Sequence, residues 1–595
     1  MTRPALNWLL SVGFLSIAVA VAVARASPPD GYEASIYAGT PTVTWVGIAV
    51  AFAVALGVTL ACRGRYQALG IALGATAITS IVSLPLTRNY RFSGMGDALT
   101  HLGWTTDIVD GSLAPYELFY PGMHSLGAII HLVGGVPLER ALLFSLVVVF
   151  VLFVVFVPLV VRDITGNAAA VGFAAIVSWF VLPINNIATH TSVHTNSNAL
   201  FFAPVVIFAI VAYLRRHGDH TALPFGVSPY GVVVLVTGAG LLFVHPQQMV
   251  NVVLVLATIS LIQFVARHRY VSHPIVEQPT AYAHTVVLGG FFLVWSASNE
   301  RFRQAFAGLI YGLLTQDVGT GEEVEQRETS LAEIGGSVPE LFTKLFLVSA
   351  LVAVVVGLFV LLTWLGWTRT DRESKAFVTY FGVASIPLSV IFVVYFFGTQ
   401  AMAFRQVGFI YVLGTILAGI GLAHGFGRLA GLLPRPGSNT LAAILLGTCL
   451  VLSLPVVFAS PYIYSPTQHV TDQKVSGYGS ALEHGDDRPY AGLGFGVNRY
   501  GDGLNGVEGD ERGNYEGVDD GRVDVDEFES GNYSGAYGDG EYYFVATEYD
   551  ETREFEVYQE LHHSEAALEG VDASPNANKV VSNEEFRMYA IESDE

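Results

Sequence analysis

Long apolar stretches, separated by short polar ones, make up most of the first 460 residues. An apolar run of about 17–25 residues can cross a bilayer as a helix. The pattern predicts thirteen such helices, at residues 6–25, 43–62, 67–86, 140–161, 168–184, 198–214, 229–244, 249–266, 281–297, 341–366, 376–397, 405–423 and 439–459. It therefore predicts an all-α polytopic membrane bundle and excludes a soluble enzyme.

Basic residues are concentrated in every second loop between these runs. With the N-terminus inside, the inner loops hold thirteen Lys and Arg residues and the outer loops roughly five. The positive-inside rule then places the N-terminus in the cytoplasm. Because the number of spans is odd, the segment after residue 460 is expected outside the cell membrane. The first run lacks a small-x-small cleavage site, so we interpret it as a retained helix.

One further apolar run, FYPGMHSLGAIIHLVG at residues 119–134, is not counted among the spans. Counting it would put Arg215 and Arg216 outside and reverse every later loop. The run is also short, and it carries His124 and His131. We expect a helix lying at the outer interface, within one long outer loop at residues 87–139.

The composition changes sharply after residue 460. The whole chain is 52% hydrophobic and 14% charged, yet residues 461–595 hold 31 of its 51 acidic and 8 of its 30 basic residues, a net charge of −23. Such acidity argues against nucleic-acid binding and is typical of an extreme halophile. Strand and helix patterns around a Gly- and Asp-rich loop at 492–540 predict a small extracellular α/β domain.

Side chains suited to catalysis are concentrated in the predicted outer loops. In GDALTHLGWTTDIVDG, Asp97 and His101 are four residues apart and share a helix face, and Asp107 is expected near that face. A carboxylate here can accept the proton of a hydroxyl nucleophile. A divalent cation such as Mg²⁺ or Mn²⁺ would use Asp97 and His101 as ligands. The alternative is an amphipathic loop helix whose polar residues are only solvated.

Three other positions fall at the same predicted depth. His190 and His194 lie in the second outer loop, and His245 forms a turn between two spans. Arg405, at the outer end of a span, can hold a lipid phosphate or extend to the interface. A polar helix cap and an interfacial turn are the alternatives for the histidines. We expect one outer cavity lined by Asp97, His101, His190, His245 and Arg405. The candidate substrate-binding residues are His101, Asp107, His190, His194, His245 and Arg405.

The order of these segments is distinctive. The Asp97 loop is followed by LFYPGMHSLGAIIHLVGG and by the span ERALLFSLVVVFVLFVVFVPLVVRDITG, which ends in a basic inner turn. This order resembles the GT-C class of integral membrane glycosyltransferases. The closing segment NKVVSNEEFRMYAIE looks like the ending of many archaeal and bacterial members. The resemblance covers residues 67–459 in architecture and the last fifteen or so in motif.

The resemblance implies a function and a domain division. Members of the class move a sugar from a polyprenyl or dolichyl phosphate, on the outer face and generally with inversion, and Asp97 would be the base. The acceptor would be a glycan, a surface protein or a lipid. Residues 1–66 would form two extra helices, 67–460 the catalytic block and 461–595 the exported domain. A lipid-linked sugar flippase or transporter, and a non-catalytic membrane scaffold, are the alternatives.

Overall fold

Helices make up most of the structure, as the apolar runs predict. The computed structural model describes residues 2–216, 223–224, 227–269, 272–300, 302–304, 307, 336–398, 400–431, 435–494, 496–508, 520–538 and 540–593. The helices are α1 (Arg3–Arg25), α2 (Ile36–Gly39), α3 (Thr42–Ala61), α4 (Arg65–Val82), α5 (Leu84–Thr87), α6 (Asp97–Asp110), α7 (Gly122–Gly134), α8 (Leu138–Thr165), α9 (Ala168–Ser178), α10 (Thr195–Arg215), α11 (Pro229–Val244), α12 (Pro246–Arg269), α13 (Pro274–Glu277), α14 (Tyr282–Ser298), α15 (Val338–Trp364), α16 (Arg372–Gly398), α17 (Gln400–Leu429), α18 (Arg435–Ser453), α19 (Asp472–His484), α20 (Val497–Asn505), α21 (Val525–Glu529), α22 (Glu548–Glu551) and α23 (Glu565–Ala573). The strands are β1 (Phe92–Ser93), β2 (His469–Val470), β3 (Tyr490–Gly492), β4 (Asp520–Arg522), β5 (Tyr542–Thr547), β6 (Ala577–Ser582) and β7 (Phe586–Ile591).

Each of the thirteen predicted spans contains a helix. Within the described ranges, nine helices are long and apolar enough to cross a membrane: Arg3–Arg25, Thr42–Ala61, Leu138–Thr165, Thr195–Arg215, Pro246–Arg269, Val338–Trp364, Arg372–Phe397, Met402–Leu429 and Gly437–Val456. The other four predicted spans correspond to the shorter or less apolar helices α4, α9, α11 and α14. The predicted multi-pass membrane bundle is confirmed.

Helix α9 is shorter than the predicted span at 168–184. It ends at Ser178, and residues 179–194 continue as a mostly buried, non-helical segment. Pro183 explains the early end, because proline clashes with the preceding turn and disfavours helix in the residue before it. Non-helical backbone at membrane depth is tolerated where protein covers it. Here Asn185 satisfies part of the non-helical backbone, since its side-chain oxygen accepts the backbone N–H groups of Ile187 and Ala188 at 3.0 Å each.

The loops are grouped at two ends of the bundle, as the alternation of basic loops predicts. One end joins predicted outer segments through Arg88–Glu33, Asn185–Phe404 and Asn186–Val456. The other end joins predicted inner segments through Gln67–Ala168, Arg215–Ile164 and Ser374–Ile164. We call the first of these the outer end. The assignment of that end to the outside of the cell stays a prediction.

Helix α7 coincides with the apolar run that was not counted as a span. Its 13 residues rise only about 20 Å, less than the roughly 30 Å of a hydrocarbon core. One side packs on α8, where Gly127 lies against Leu142. The opposite side exposes Ile129, Leu132 and Val133. This amphipathic pattern fits the expected helix at the outer interface.

The predicted small α/β domain is present after residue 460. Its five-stranded sheet has the order β4-β3-β5-β7-β6. Strand β3 is parallel to β4 and β5, and β7 is antiparallel to β5 and β6. The predicted Gly- and Asp-rich loop at 492–540 contains α20, β4 and α21, so it is more ordered than the composition suggested. Its residues 495, 509–519 and 539 lie outside the described part of the chain.

The loop between α1 and α3 is held between the first outer loop and the C-terminal domain. Glu33 receives both the guanidinium of Arg88, which is 2% exposed, and the hydroxyl of Tyr90. The backbone N–H of Tyr32 donates to Oε1 of Glu585 at 2.8 Å. The two N-terminal helices are therefore joined to the rest of the outer end rather than standing apart.

Candidate active site

Asp97 is the first residue of α6, at the outer end. Gly96 precedes it with a φ of 60°, a conformation that glycine adopts readily, so the chain turns sharply into the helix. The Asp97 side chain is 53% exposed. A carboxylate is favoured at a helix N-terminus because the backbone N–H groups there carry partial positive charge. Asp97 is thus held at the surface of the site, accessible to a ligand.

One turn further along α6, His101 is buried against α7. Its Nδ1 lies 3.1 Å from Nε2 of His124, whose own Nδ1 lies 3.2 Å from the carbonyl oxygen of Tyr120. Because a carbonyl only accepts, Nδ1 of His124 carries the proton, and Nε2 accepts from His101. The rings of Trp104 and Tyr120 pack around the pair. In its neutral form His101 therefore has an unprotonated Nε2.

Burial keeps this histidine pair neutral. It lowers the pKa of His124 to about 4. Burial lowers the pKa of His101 well below its usual range, and the neighbouring His124, His245, Arg499 and Arg405 lower it further. At neutral pH, neither ring carries charge, and both act through hydrogen bonds.

The other predicted histidines belong to the same electrostatic group. Burial, with a contribution from Arg405, lowers the pKa of His245 to about 3 and that of His190 to about 4. The carboxylate of Asp97 acts on His190 in the opposite direction. His194 is buried, and its Nδ1 lies 2.9 Å from Oγ of Ser197. Asp97, these histidines and Arg405 therefore lie within electrostatic range of one another, and a shared substrate cavity stays a prediction.

His245 has a defined tautomer at the start of α12. Its Nδ1 accepts the backbone N–H of Gln247 at 3.3 Å. A neutral ring whose Nδ1 accepts must carry its proton on Nε2. His245 is thus a neutral ring with one N–H available to an acceptor.

Arg405 is the charged residue that acts on four of these histidines. Its charge lowers the pKa of His101, His190, His194 and His245. No described carboxylate lies within ion-pair distance of it, its buried Nε has no hydrogen-bond partner, and its Nη1 lies 3.9 Å from the sulfur of Met402. A partly buried cation without a counter-ion is costly. The site is therefore prepared for an anion.

A chain of buried amides fixes the position of Arg405. The side chain of Gln406 donates to Asn251 at 2.9 Å, Asn251 donates to Gln248 at 3.0 Å, and Gln248 donates to Asn196 at 3.0 Å. All four are at most 1% exposed, and they join α10, α12 and α17. Buried polar networks of this kind enforce one arrangement of the helices. Since Gln406 follows Arg405 in α17, the network also fixes the backbone position from which the Arg405 side chain extends.

Asp107 has a different role from the one expected. Ten residues at about 100° each place it some 80° away from Asp97 around the helix, so the two do not share a face. The Asp107 carboxylate is buried and accepts the backbone N–H groups of Val507 at 2.8 Å and Glu508 at 3.0 Å. It therefore attaches the C-terminal domain to α6, and substrate binding by Asp107 is a prediction that we do not keep.

The predicted cation ligands do not converge. Asp97 pairs with Arg499 of the C-terminal domain at 3.1 Å, whereas His101 faces His124. Across the described residues, no group of three or more His, Cys, Asp or Glu side chains is arranged to hold a metal ion. Asp97 and His101 thus do not fit a shared metal centre.

Sequence reasoning missed two residues of this site. His124 had a signal, because a histidine within a short apolar run needs a polar partner. Arg499 had none, since it lies about 400 residues from Asp97 in a glycine-rich stretch. Only the docking of α20 on α6 brings it to the site.

Comparisons with known proteins give structural similarities only. No protein-family model and no curated protein matches the chain. ArnT from Cupriavidus metallidurans bound to undecaprenyl phosphate is 14% identical, with a TM-score of 0.47 over 89% of this chain and 98% of that chain. The Archaeoglobus fulgidus oligosaccharyltransferase in the apo form is 10% identical, with a TM-score of 0.48 over 89% and 75%. Both are GT-C glycosyltransferases, the class that the sequence resembles. At such identities and TM-scores, the reaction of this chain has to be argued from its own residues.

Proposed function

We propose that the chain is a GT-C membrane glycosyltransferase. It transfers a sugar from a polyprenyl or dolichyl phosphate to a hydroxyl of a glycan, protein or lipid, on the outer side of the cell membrane. The observation that carries the proposal is Arg405, a partly buried guanidinium with no described carboxylate partner and with neutral histidines around it. Guanidinium groups bind phosphate through paired, charge-assisted hydrogen bonds.

The location of Arg405 favours a lipid phosphate. It lies near the start of α17, at the outer end of a helix that is long and apolar enough to cross a membrane. The phosphate of a polyprenyl lipid lies at the level of the headgroups, which is the depth expected for a residue at the end of a span. Sugar and acceptor would then meet at the outer end, where Asp97 is exposed.

Each proposed group has one task in the displacement. Asp97 takes the proton from the acceptor hydroxyl as its oxygen bonds to the anomeric carbon of the sugar. The bond from that carbon to the phosphate oxygen breaks, and its electron pair stays with the phosphate. Arg405 and the Nε2–H of His245 stabilise the negative charge that develops there. Attack opposite the leaving phosphate inverts the anomeric configuration.

Asp97→Asn tests the proposed base. The amide keeps the shape of the side chain but accepts no proton at neutral pH, so we expect the transfer rate to fall by about 10²–10⁴. The assay measures sugar transfer from a polyprenyl-phosphate donor by purified protein. Asp107→Asn is the matched control, because it changes a carboxylate of the same helix that binds backbone instead of substrate.

The outcomes separate the alternatives. Asp107→Asn is expected to lose less activity, through looser docking of the C-terminal domain. A wild-type rate in Asp97→Asn would remove Asp97 from the chemistry. Movement of the lipid-linked sugar across vesicles without any transfer would favour a flippase, and an unchanged lipid-linked glycan profile in a deletion strain would favour a scaffold.

A further inference from the structure

We infer that Arg499 of the C-terminal domain is a positioning residue for Asp97, so that the site is built from the membrane bundle and the C-terminal domain together. This inference rests on the proposed function. Nη2 of Arg499 lies 3.1 Å from Oδ1 of Asp97, and its Nη1 donates to the hydroxyl of Thr100 at 2.6 Å. That hydroxyl donates in turn to Asp502 at 2.7 Å. The guanidinium is therefore held at two points of α6.

Close helix packing fixes the backbone on both sides of this contact. A Cβ on Gly103 would lie 2.2 Å from the backbone oxygen of Asp502, and a Cβ on Gly503 would lie 3.5 Å from Cβ of Leu99. Only glycine permits the first of these approaches. Helices α6 and α20 are thus in direct backbone contact. The Arg499 side chain therefore extends from a backbone position that is fixed relative to Asp97.

The exposure of the pair indicates a role other than stability. The Arg499 and Asp97 side chains are 43% and 53% exposed, and ion pairs in such settings typically contribute about 0–1 kcal/mol. The ion pair is formed between Nη2 of Arg499 and Oδ1 of Asp97 at 3.1 Å. A carboxylate fixed through one oxygen presents the other in a constant direction. Oδ2 is then the atom that receives the acceptor proton.

The charge of Arg499 also reaches the interior of the site. It contributes, together with Arg405, to the lowered pKa of His101. One guanidinium supplied by the bundle and another supplied by the C-terminal domain therefore both lie within electrostatic range of His101. This places Arg499 beside the reacting groups instead of at a remote part of the domain interface.

Arg499→Ala and Arg499→Lys test the role through kinetics. Displacement of a base by about 1 Å can lower the reaction rate by a factor on the order of 10². We therefore expect the kcat of the alanine variant to fall by about that factor, with little change in KM. Lysine keeps a charge near Oδ1 and is expected to restore part of the loss. Arg488→Ala is the matched control, because Arg488 pairs with Asp486 within the same domain. A wild-type kcat in Arg499→Ala, or no rescue by lysine, would overturn the inference.

A disulfide provides a readout that does not depend on folding of those variants. Leu99→Cys and Gly503→Cys place two Cβ atoms about 3.5 Å apart, within the range of natural disulfides, in a background with Cys62→Ser and Cys449→Ser. Fixed positioning predicts that the bond forms and that the oxidised enzyme keeps its activity. Failure of the bond to form, or activity that disappears on oxidation and returns on reduction, would contradict it.

An assay of the wild-type enzyme separates failure of the proposed function from failure of the inference about Arg499. If it transfers no sugar from a polyprenyl-phosphate donor, the proposed function fails. If it transfers sugar and Arg499→Ala does so equally well, the inference about Arg499 fails alone.

Discussion

Arg405 is the residue to which the proposed function assigns the lipid phosphate. Arg405→Gln keeps hydrogen-bonding groups but removes the charge. Hydrogen bonds to charged groups contribute about 1.5–3 kcal/mol, so we expect the affinity for the proposed polyprenyl phosphate to fall about 10- to 100-fold, measured by titration of protein in nanodiscs. Without lipid, the same variant should melt at a higher temperature, since it removes a charge to which the described part of the chain supplies no carboxylate partner.

The control for Arg405 is an arginine at the opposite end of the same helix. Arg428→Gln removes a charge whose guanidinium donates to the carbonyl oxygen of Trp367, at the inner end. We expect this variant to bind the proposed polyprenyl phosphate with the affinity of the wild type. Equal losses in both variants would mean that the lipid phosphate does not depend on Arg405 in particular.

The neutral histidines predict sensitivity to acid. Burial lowers the pKa of His124 to about 4, from about 6.5 in an unfolded chain. Between these values the unfolded state binds a proton that the folded state does not, so the free energy of unfolding decreases as the pH falls from about 6.5 to about 4. Above pH 6.5 this histidine has no effect on the pH dependence.

His124→Gln measures that contribution. An amide retains hydrogen bonding to His101 and to the carbonyl of Tyr120 but does not titrate. One histidine contributes a slope of at most about 1.4 kcal/mol per pH unit, and thermal unfolding followed from pH 7 to pH 4 should show a shallower loss in the variant. Parallel curves for variant and wild type would show that His124 does not account for the acid sensitivity.

At the scale of the elements, the crossing of α6 and α20 allows no side chain at Gly103. Gly103→Ala would place a Cβ 2.2 Å from the backbone oxygen of Asp502, and a backbone atom cannot rotate away. We expect a loss of about 1–3 kcal/mol in the stability of this interface, with lower transfer activity because Arg499 moves too. Unfolding temperature and limited proteolysis of the C-terminal domain are the measurements.

Gly134→Ala is the control for the packing of α6 and α20. Gly134 ends α7, and a Cβ there would make an ordinary contact with Val136 at 3.5 Å. We expect both unfolding temperature and proteolysis to stay close to wild type. A stable Gly103→Ala variant with wild-type activity would show that the two helices tolerate more separation than their contact suggests.

The elements could largely be predicted, because a helix that crosses a bilayer requires a long apolar run. Helix α9 was predicted too long, since its apolar run continues past Ser178 into a non-helical segment that other parts of the bundle cover. Helical spacing predicted that Asp97 and His101 share a face of α6, whereas the partners of their side chains, Arg499 and His124, did not follow from it. The place of Asp107 did not, because a ten-residue separation leaves it about 80° from Asp97.

The contacts between distant segments account for what the sequence could not show. Arg405 was expected beside the outer histidines from depth alone, and its charge does act on four of them. Arg499 reaches Asp97 only because a glycine-rich helix docks on α6. Local patterns contain no information on such docking, which depends on the shapes of two complete surfaces.

At the scale of the whole molecule, the orientation in the membrane is the first property to test. The C-terminal domain and the predicted outer loops lie at the same end of the bundle, and the distribution of basic residues predicts that this end faces outward. A protease added to intact cells or right-side-out vesicles should therefore cleave within residues 461–595. A tag on the N-terminus should remain protected, and protection of the C-terminal domain until lysis would reverse the topology.

The bond between Tyr32 and Glu585 has a consequence for synthesis. The two residues are 553 positions apart, and at about 5–20 residues per second the ribosome needs roughly half a minute to two minutes to make the chain between them. During that time, the loop between α1 and α3 waits without its final partner. This loop thus completes its contacts among the last, and the outer end reaches its final form only once translation has passed residue 585.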